Sequence, residues 1–245
     1  MGDLEGKVAV ITGAGGGIGR ATCRLFTAHG AKVVAADLNL HDAEAAAEGL
    51  GSDAMAFALD VTDSGSWQDC LEEVDRRFGT VTALVNNAGV YLPGEMNETD
   101  AAAFEAMFRV NQLGPLLGVI ATAPRMAAAG EGSIVNISST GGLRPAPGAL
   151  AYSTTKWGIR GLTQSAAVAL APSGVRVNTV IPGLIDTQMA RRNNPEANAA
   201  VARKTPIPRL GQAVEIAEAI LFLCSERSSF IVGTELIVDG GLALT

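Results

Sequence analysis

The sequence contains few of the side chains from which many catalytic and metal sites are built. Its 245 residues include only two histidines, His29 and His41, and three widely spaced cysteines. Zinc sites need clustered Cys and His ligands, and a Ser-His-Asp triad needs a histidine beside its serine. We therefore expect no metal site and no such triad. The isolated cysteines, Cys23, Cys70 and Cys224, are typical of free thiols in a reducing compartment.

Positive charge and long apolar runs are also scarce. The formal net charge is -7, which disfavours nucleic acids and anionic membranes as partners. No uninterrupted apolar run approaches the ~20 residues that span a bilayer, and the short acidic N-terminus does not resemble a signal peptide. With 48% hydrophobic and 18% charged residues, the composition is that of a globular protein, which we predict to be cytoplasmic.

Apolar strand-like runs alternate with helix-like segments along the whole chain. Because such alternation is typical of a parallel sheet covered on both faces, we predict one doubly wound α/β domain over residues 1–245. The predicted strands cover residues 7–12, 32–37, 54–59, 83–86, 133–137, 175–181 and 235–238. The polar, proline-containing segment 184–210 interrupts this pattern, and we expect it to be an irregular substrate lid or a disordered loop.

A glycine-rich turn, TGAGGGIG at residues 12–19, follows the first predicted strand. Glycines at 13, 17 and 19 permit a tight turn and a close approach to a pyrophosphate, and the next helix presents unpaired N–H groups to it. Counted from Gly13, Ile18 occupies the last glycine position of the usual G-x-G-x-x-G spacing. A turn without a ligand is the alternative, but the position between a strand and a helix favours a nucleotide site.

Acidic residues end the second and third predicted strands. A carboxylate at Asp37 would accept hydrogen bonds from the adenosine ribose and repel a 2′-phosphate. Because no basic residue precedes Arg20 in the glycine turn, this pattern favours NAD over NADP. Capping of the next helix is the alternative role for Asp37. The carboxylate of Asp60 either binds the adenine amino group or only ends its strand.

Tyr152 and Lys156 are four residues apart in a predicted helix, which places them on one helix face. A free tyrosine titrates near pH ~10, and a neighbouring cation lowers that pKa. The pair therefore suits acid/base chemistry near neutrality. An exposed pair without a catalytic role is the alternative when these two residues are considered alone.

Taken together, the motifs resemble the short-chain dehydrogenase/reductase family in order and spacing over nearly the whole chain. The resemblance implies a Rossmann-type doubly wound α/β fold with a mostly parallel seven-stranded sheet, a nicotinamide dinucleotide as cofactor, for which Asp37 favours NAD, and a homotetramer. The residues that carry it are Thr12-Gly13-x-x-x-Gly17-x-Gly19, Asp60, Asn86-Asn87-Ala88-Gly89, Asn111, Ser139, Tyr152-x-x-x-Lys156 and Pro182-Gly183.

The resemblance also implies a role for each catalytic position. Tyr152 would be the general acid/base, and Lys156 would lower its pKa and bind the nicotinamide ribose. Ser139 would hold the substrate oxygen, and Asn111 would anchor a proton-relaying water. The implied cofactor-binding residues are Gly13, Gly17, Ile18, Gly19, Asp37, Asp60, Val61, Asn87, Ala88, Gly89, Tyr152, Lys156, Pro182, Gly183, Ile185 and Thr187.

The expected substrate walls are mostly apolar. Their single charge, Arg144, is either a solvated loop residue or a substrate anchor. Apolar walls favour a hydrophobic secondary alcohol or ketone over a sugar or a phosphorylated compound. The expected wall residues are Tyr91–Pro93, Leu143–Pro145, Ala149, Leu184 and Met189.

Parts of the second half are similar to bacterial hydroxysteroid dehydrogenases, namely residues 152–161 and Pro182-Gly183 followed by Thr187-x-Met189. We therefore predict an NAD-dependent dehydrogenase of an apolar cyclic or steroid-like alcohol. One alternative is a 3-oxoacyl-carrier-protein reductase that uses NADPH. Another is a catalytically silent nucleotide-binding scaffold. The apolar segment 235–245 suits either a subunit interface or an internal edge strand.

Overall fold

The computed structural model describes residues 2–94, 99–144, 146, 148–191 and 194–245. Within these residues it contains one seven-stranded, all-parallel sheet in the order β3-β2-β1-β4-β5-β6-β7. The strands are β1 (Val8–Thr12), β2 (Lys32–Asp37), β3 (Ala54–Ala58), β4 (Ala83–Asn86), β5 (Gly132–Ile137), β6 (Val175–Pro182) and β7 (Glu235–Val238). The order reverses between β1 and β4, where the carboxyl ends of parallel strands leave a crevice for ligands.

Local capping signals set where several of the helices begin. Asn39, Asp63 and Asp100 each cap a helix, because their side chains accept a hydrogen bond from a backbone N–H of the first turn. The helices are α1 (Gly17–Ala28), α2 (Leu40–Ala47), α3 (Ser64–Arg77), α4 (Ala101–Phe108), α5 (Gly114–Ala129), α6 (Leu150–Leu170), α7 (Gln188–Arg191), α8 (Pro195–Lys204) and α9 (Ala213–Cys224).

The sheet is covered on both faces, as predicted. Successive side chains of a strand point to opposite faces, and β1 follows this rule. Ala9 and Ile11 join a buried cluster with side chains from α1 and α9. Val8 and Val10 join a second cluster with side chains from α3, α5 and α6. The doubly wound architecture is therefore confirmed, and it leaves the carboxyl edge of the sheet for a site.

The segment 184–210 is more regular than its composition suggests. It contains the short helix α7 and the ten-residue helix α8. The Asn194 side chain accepts a hydrogen bond from the Glu196 N–H, and Pro195 occupies the first helical turn, where its missing donor costs nothing. The prediction of an irregular loop was thus wrong here, because Asn-Pro begins a helix rather than interrupting one. Arg192 and Asn193 lie outside the described residues.

Candidate active site

Two elements bring the predicted catalytic residues together. Ser139 is the second residue after β5, and its Oγ accepts a hydrogen bond from the Gly141 N–H (3.1 Å) at the start of a short 3₁₀ turn. Tyr152 and Lys156 lie in the first two turns of α6. The Ser138 hydroxyl donates to the Lys156 carbonyl (2.9 Å) and so attaches this part of α6 to the end of β5. The structure therefore places the serine beside the tyrosine–lysine pair.

The pKa of Tyr152 moves opposite to the sequence prediction. Burial raises it to about 12, a hydrogen bond with the Ser139 side chain lowers it, and the neighbouring Tyr91 raises it further. The Lys156 Nζ atom lies 5.7 Å from the centroid of the Tyr152 ring. Desolvation therefore dominates in the protein alone, and the expected lowering of the tyrosine pKa by Lys156 is not observed.

Lys156 is buried, and its ammonium is held by the strand beside it. Nζ donates a hydrogen bond to the Ile137 carbonyl (2.9 Å) at the end of β5. Burial lowers the pKa of Lys156 to about 8, because removal from water disfavours the charged form. A lysine with such a pKa exchanges its proton near neutrality, which suits a group that passes protons between the tyrosine and solvent.

Asn111 lies in a π-helical turn (Arg109–Leu113) that separates α4 from α5. Such turns occur frequently at functional sites. Its Oδ1 accepts from the Val90 N–H (2.7 Å), and its Nδ2 donates to the Val90 carbonyl (2.9 Å) and to Thr155 Oγ1 (3.2 Å). The Thr155 hydroxyl in turn donates to the Tyr152 carbonyl (2.7 Å). Asn111 is therefore connected to α6 one turn from Tyr152.

The side chains of Asn111 and Lys156 both lie close to the backbone of Gly89. A Cβ atom added at Gly89 would lie 3.3 Å from Asn111 Oδ1 and 3.6 Å from Lys156 Nζ. The two polar groups therefore adjoin one side-chain-free stretch of backbone. This arrangement suits the predicted relay through Asn111 and Lys156, which stays a prediction.

The glycine turn is packed so closely that side chains are excluded from it. Gly13 has a φ of +63°, and a Cβ there would stand 2.8 Å from the Ala88 Cα atom. A Cβ at Gly17 would stand 2.9 Å from Thr187 Cγ2. Gly16 is the N-cap residue of α1, and among the described residues no side chain caps this helix. The turn thus presents backbone N–H groups and a helix N-terminus, which is the arrangement that binds phosphates.

Asp37 faces the glycine turn rather than capping α2. The Gly15 N–H donates to its Oδ2 (3.0 Å) and the Asn39 N–H to its Oδ1 (3.2 Å), while Asn39 itself is the cap of α2. A carboxylate has about four acceptor positions, so capacity remains for a ribose. The Asp60 Oδ1 accepts two hydrogen bonds from Thr62, both 2.8 Å, which gives this carboxylate a role in its own turn.

Thr12 joins the glycine turn to the turn after β4, a role that the motif alone did not reveal. Its hydroxyl accepts from the N–H groups of Asn87 and Ala88, both at 3.0 Å. The Asn87 Nδ2 atom donates to the carbonyls of Thr12 (2.9 Å) and Gly13 (3.0 Å). In the sequence, the position of Thr12 immediately before Gly13 was the feature that could have indicated this role. These bonds hold two predicted cofactor-binding segments against one another.

The segment after β6 completes the carboxyl edge of the sheet. The Gly183 N–H donates to the Val238 carbonyl (3.0 Å) after Pro182, and Ile185 pairs with Gly211. Thr187 lies against Gly17 of the glycine turn. The Val61 side chain lies elsewhere on this edge, packed against the start of α5. The structure thus gathers the predicted cofactor residues along one edge, and their binding role stays a prediction.

The predicted wall residues surround Tyr152 only in part. Tyr91 contacts the Tyr152 ring, and the Gly94 N–H donates to the Gly148 carbonyl (3.0 Å), which joins the two wall segments. Arg144 donates a hydrogen bond to the Thr245 carbonyl, a partner that neither sequence interpretation included. Pro145 lies outside the described residues.

The described residues offer neither a metal-binding cluster nor a membrane-spanning helix. Over the described ranges there is no group of three or more His, Cys, Asp or Glu residues that could hold a metal ion. In the same residues, none of the helices has the length and apolarity to cross a membrane. The three cysteines are free and buried.

Comparisons with known proteins cover almost the whole chain. A family model described as enoyl-(acyl carrier protein) reductase matches residues 13–243. The chain is 38% identical over 241 residues to 2,5-dichloro-2,5-cyclohexadiene-1,4-diol dehydrogenase of Sphingobium indicum, covering 97% of this chain and 96% of the relative. It is 40% identical over 247 residues to trans-4-hydroxycyclohexanecarboxylate dehydrogenase of Sinomonas cyclohexanicum, with 96% and 92% covered.

A third relative acts on steroids by its name. This 3-alpha-(or 20-beta)-hydroxysteroid dehydrogenase of Mycobacterium bovis is 37% identical over 240 residues, with 98% of this chain and 90% of the relative covered. The crystal structure of ribose-5-phosphate isomerase from Brucella melitensis 16M has a TM-score of 0.92 and 36% identity, with 98% and 94% covered. The chain belongs to the short-chain dehydrogenase/reductase family, whose members are oxidoreductases that use NAD or NADP.

Proposed function

We propose that this protein is an NAD-dependent dehydrogenase that transfers a hydride between NAD and an apolar cyclic secondary alcohol or ketone. The observation that carries the proposal is the convergence of Ser139, Tyr152, Lys156 and Asn111 beside the glycine turn. At this place three groups lie beside a turn suited to phosphate: a proton donor, a hydroxyl that can bind the substrate oxygen, and a route by which the proton leaves. This is what an alcohol needs when it loses a proton and a hydride together.

Tyr152 takes the hydroxyl proton of the alcohol, or returns it to the ketone. The Ser139 hydroxyl donates to the same substrate oxygen and stabilises the negative charge that develops on it. Lys156, whose pKa is lowered to about 8, releases its own proton towards Asn111 and is then reprotonated by Tyr152. NAD supplies the hydride acceptor when it is bound, and its positive charge favours the tyrosine phenolate that burial disfavours.

Several residues fit the cofactor. The glycine turn and the N-terminus of α1 would hold the pyrophosphate, and Pro182, Gly183, Ile185 and Thr187 would hold the nicotinamide end. Asp37 favours NAD, because its carboxylate lies 3.0 Å from the Gly15 nitrogen, where a 2′-phosphate would meet its negative charge. The exposed residue after it, Leu38, offers no compensating positive charge.

The substrate class is supported by two observations. The aromatic ring of Tyr91 lies against Tyr152, and the next residue in the chain, Leu92, is an exposed apolar side chain. Three relatives at 37–40% identity carry the names of dehydrogenases of cyclic or steroid alcohols. A rigid apolar ring fits such walls better than a flexible, charged carrier does.

A substrate panel tests the proposal directly. Cyclopentanol, cyclohexanol, a hydroxysteroid and a 3-oxoacyl thioester would be assayed with NAD(H) and NADP(H) in parallel. We expect kcat/KM to be highest for a cyclic or steroid alcohol with NAD. A preference for the thioester with NADPH would instead support a 3-oxoacyl-carrier-protein reductase, and no turnover with any pair would support a silent nucleotide-binding scaffold.

We also propose that the protein is a cytoplasmic homotetramer. The outer surfaces of α4, α5 and α6 expose large apolar side chains, among them Phe108, Ile120 and Trp157. A second apolar surface near β7 exposes Phe230 and Ile237. Two separate apolar surfaces on one chain suit an assembly with two kinds of contact. Size-exclusion chromatography with light scattering should give a mass of four chains, and a monomeric mass would contradict this.

A further inference from the structure

A row of buried polar side chains crosses the centre of the sheet, outside the residues assigned to the reaction. Asn86 of β4 is paired in register with Asn136 of β5, and Asn136 is paired with Thr179 of β6. All three are almost completely buried. The Asn86 Nδ2 atom donates to Asn136 Oδ1 (2.8 Å). In a protein core, buried polar groups are retained only when they have partners.

Helix α6 is hydrogen-bonded to this row through a single residue. The buried Thr163 Oγ1 atom accepts a hydrogen bond from Asn136 Nδ2 (2.9 Å) and another from the Thr179 hydroxyl (2.8 Å). One hydroxyl of α6 thus receives donors from two neighbouring strands. Apolar packing is non-directional and tolerates small slides and rotations of a helix, whereas two hydrogen bonds of defined direction do not.

Thr163 and Lys156 lie on the same face of α6. They are seven residues apart, which is about 20° from two full turns of an α-helix. Asn136, which donates to Thr163, directly precedes Ile137, whose carbonyl accepts from Lys156 Nζ (2.9 Å). Two adjacent residues of β5 therefore hold the same helix face, one in the core and one in the site. A shift of α6 at Thr163 would be transmitted to the ammonium of Lys156.

We infer that Asn136 and Thr163 form a positioning pair that sets the axial and rotational position of α6, and with it the places of Lys156 and Tyr152 in the reaction. The inference rests on the proposed function for its kinetic consequence, but the geometry stands without it. Both side chains are buried in the core, so the pair acts only through α6.

Replacement of the Thr163 hydroxyl provides the test. Thr163→Val keeps the shape of the side chain but leaves Asn136 Nδ2 and the Thr179 hydroxyl without their acceptor. We expect kcat to fall about tenfold, because small displacements of reacting groups are costly. The Kd for ADP, which lacks the nicotinamide ribose, should change little, since the glycine turn that would hold its phosphates is attached to β1 and β4. Thr163→Ser restores the hydroxyl, and its kcat should return to within about twofold of wild type.

Thr122→Val is the matched control. The Thr122 hydroxyl is also buried in a helix, but it donates to the Gly118 carbonyl of its own helix α5 (2.8 Å). Its loss removes a buried hydrogen bond without touching β5 or α6, so kcat should remain at the wild-type value. Wild-type kcat in Thr163→Val, or an equal loss in Thr122→Val, would overturn the inference. If Thr163→Val does not fold, Thr163→Cys applies the same comparison with a weaker acceptor.

A second readout does not depend on turnover. The chain has four lysines, so NMR titration of isotopically labelled lysine can resolve Lys156. In Thr163→Val we expect its pKa to rise from its lowered value towards that of a free lysine, as the ammonium leaves its buried place. An unchanged Lys156 titration would overturn the inference even in a protein that oxidises no alcohol. Inactive wild-type protein would contradict only the proposed function.

Discussion

The rings of Tyr91 and Tyr152 meet edge to face, with centroids 5.1 Å apart and an angle of 77° between their planes. These are the only two tyrosines of the chain. The segment that carries Tyr91 is joined to the start of α6 through the pairing of Gly94 with Ala149. Tyr91 therefore supports Tyr152 from the expected substrate side and provides an aromatic surface there.

Removal of the Tyr91 ring should weaken the binding of a cyclic substrate. In Tyr91→Ala we expect the KM for a cyclic alcohol to rise about fivefold to tenfold, because an aromatic contact contributes about 0.5–1.5 kcal/mol beyond its buried area. Tyr91→Phe keeps the ring and should keep the wild-type KM. Steady-state kinetics at saturating NAD would measure both. Equal KM values in Tyr91→Ala and wild type would mean that the ring does not contact the substrate.

Tyr152→Phe removes the transferable proton and little volume. We expect kcat to fall by about 10² to 10⁴, the usual contribution of general acid/base catalysis. NADH binding, followed by fluorescence, should persist, since the glycine turn is unchanged. Tyr91→Phe is the matched control for loss of a tyrosine hydroxyl and should retain turnover. A Tyr152→Phe protein with wild-type kcat would exclude the acid/base role.

The lowered pKa of Lys156 predicts that its burial reduces the free energy of unfolding by an amount that depends on pH. Between pH 8 and 10.5 the unfolded chain binds more protons at this lysine than the folded chain does, so the free energy of unfolding should rise with pH. Relative to Lys156→Met, we expect wild type to gain about 2 kcal/mol between pH 7 and pH 10. Above pH 10 the raised pKa of Tyr152 acts in the opposite direction, because the folded chain then binds more protons.

Urea denaturation of both proteins at several pH values would measure this difference. Lys7 provides a matched control, because its pKa is shifted in the opposite direction. Burial lowers the pKa of Lys7, but its contacts with Glu131 and Glu226 raise it overall. The contribution of Lys7 should therefore stay level between pH 7 and 10. Parallel stability curves for wild type and Lys156→Met would show that Lys156 is not held in a desolvated place.

Replacement of Asp37 should change the cofactor preference. In Asp37→Ser we expect kcat/KM with NAD to fall about tenfold or more, because hydrogen bonds to a charged group are worth about 1.5–3 kcal/mol. The value with NADP should rise, since the charge that repels a 2′-phosphate is gone. Asp42→Asn is the control, because Asp42 also lies beside Gly15 but does not end a strand. An equal change of preference in Asp42→Asn would mean that general charge near the turn decides it.

Much of the fold was predictable because its determinants are local. Continuous apolar runs separated by helical segments predicted the parallel sheet, and β2, β4 and β7 have the predicted bounds. The glycine turn and the Tyr152–Lys156 spacing are likewise short-range patterns. Helix α8 was missed, because the Asn194-Pro195 start signal was outweighed by the polar composition of the surrounding segment.

The sequence by itself determined which residues are available for the chemistry and on which elements they lie. Only the tertiary structure decided the direction of their pKa shifts and the contacts that hold them in place. Burial, which no local pattern reports, raises the pKa of Tyr152 and lowers that of Lys156. The contact of Asn136 with Thr163 joins residues 27 positions apart, and it exists only because α6 packs across β5 and β6. Desolvation and long-range hydrogen bonds depend on how the elements are assembled, and motifs do not encode that assembly locally.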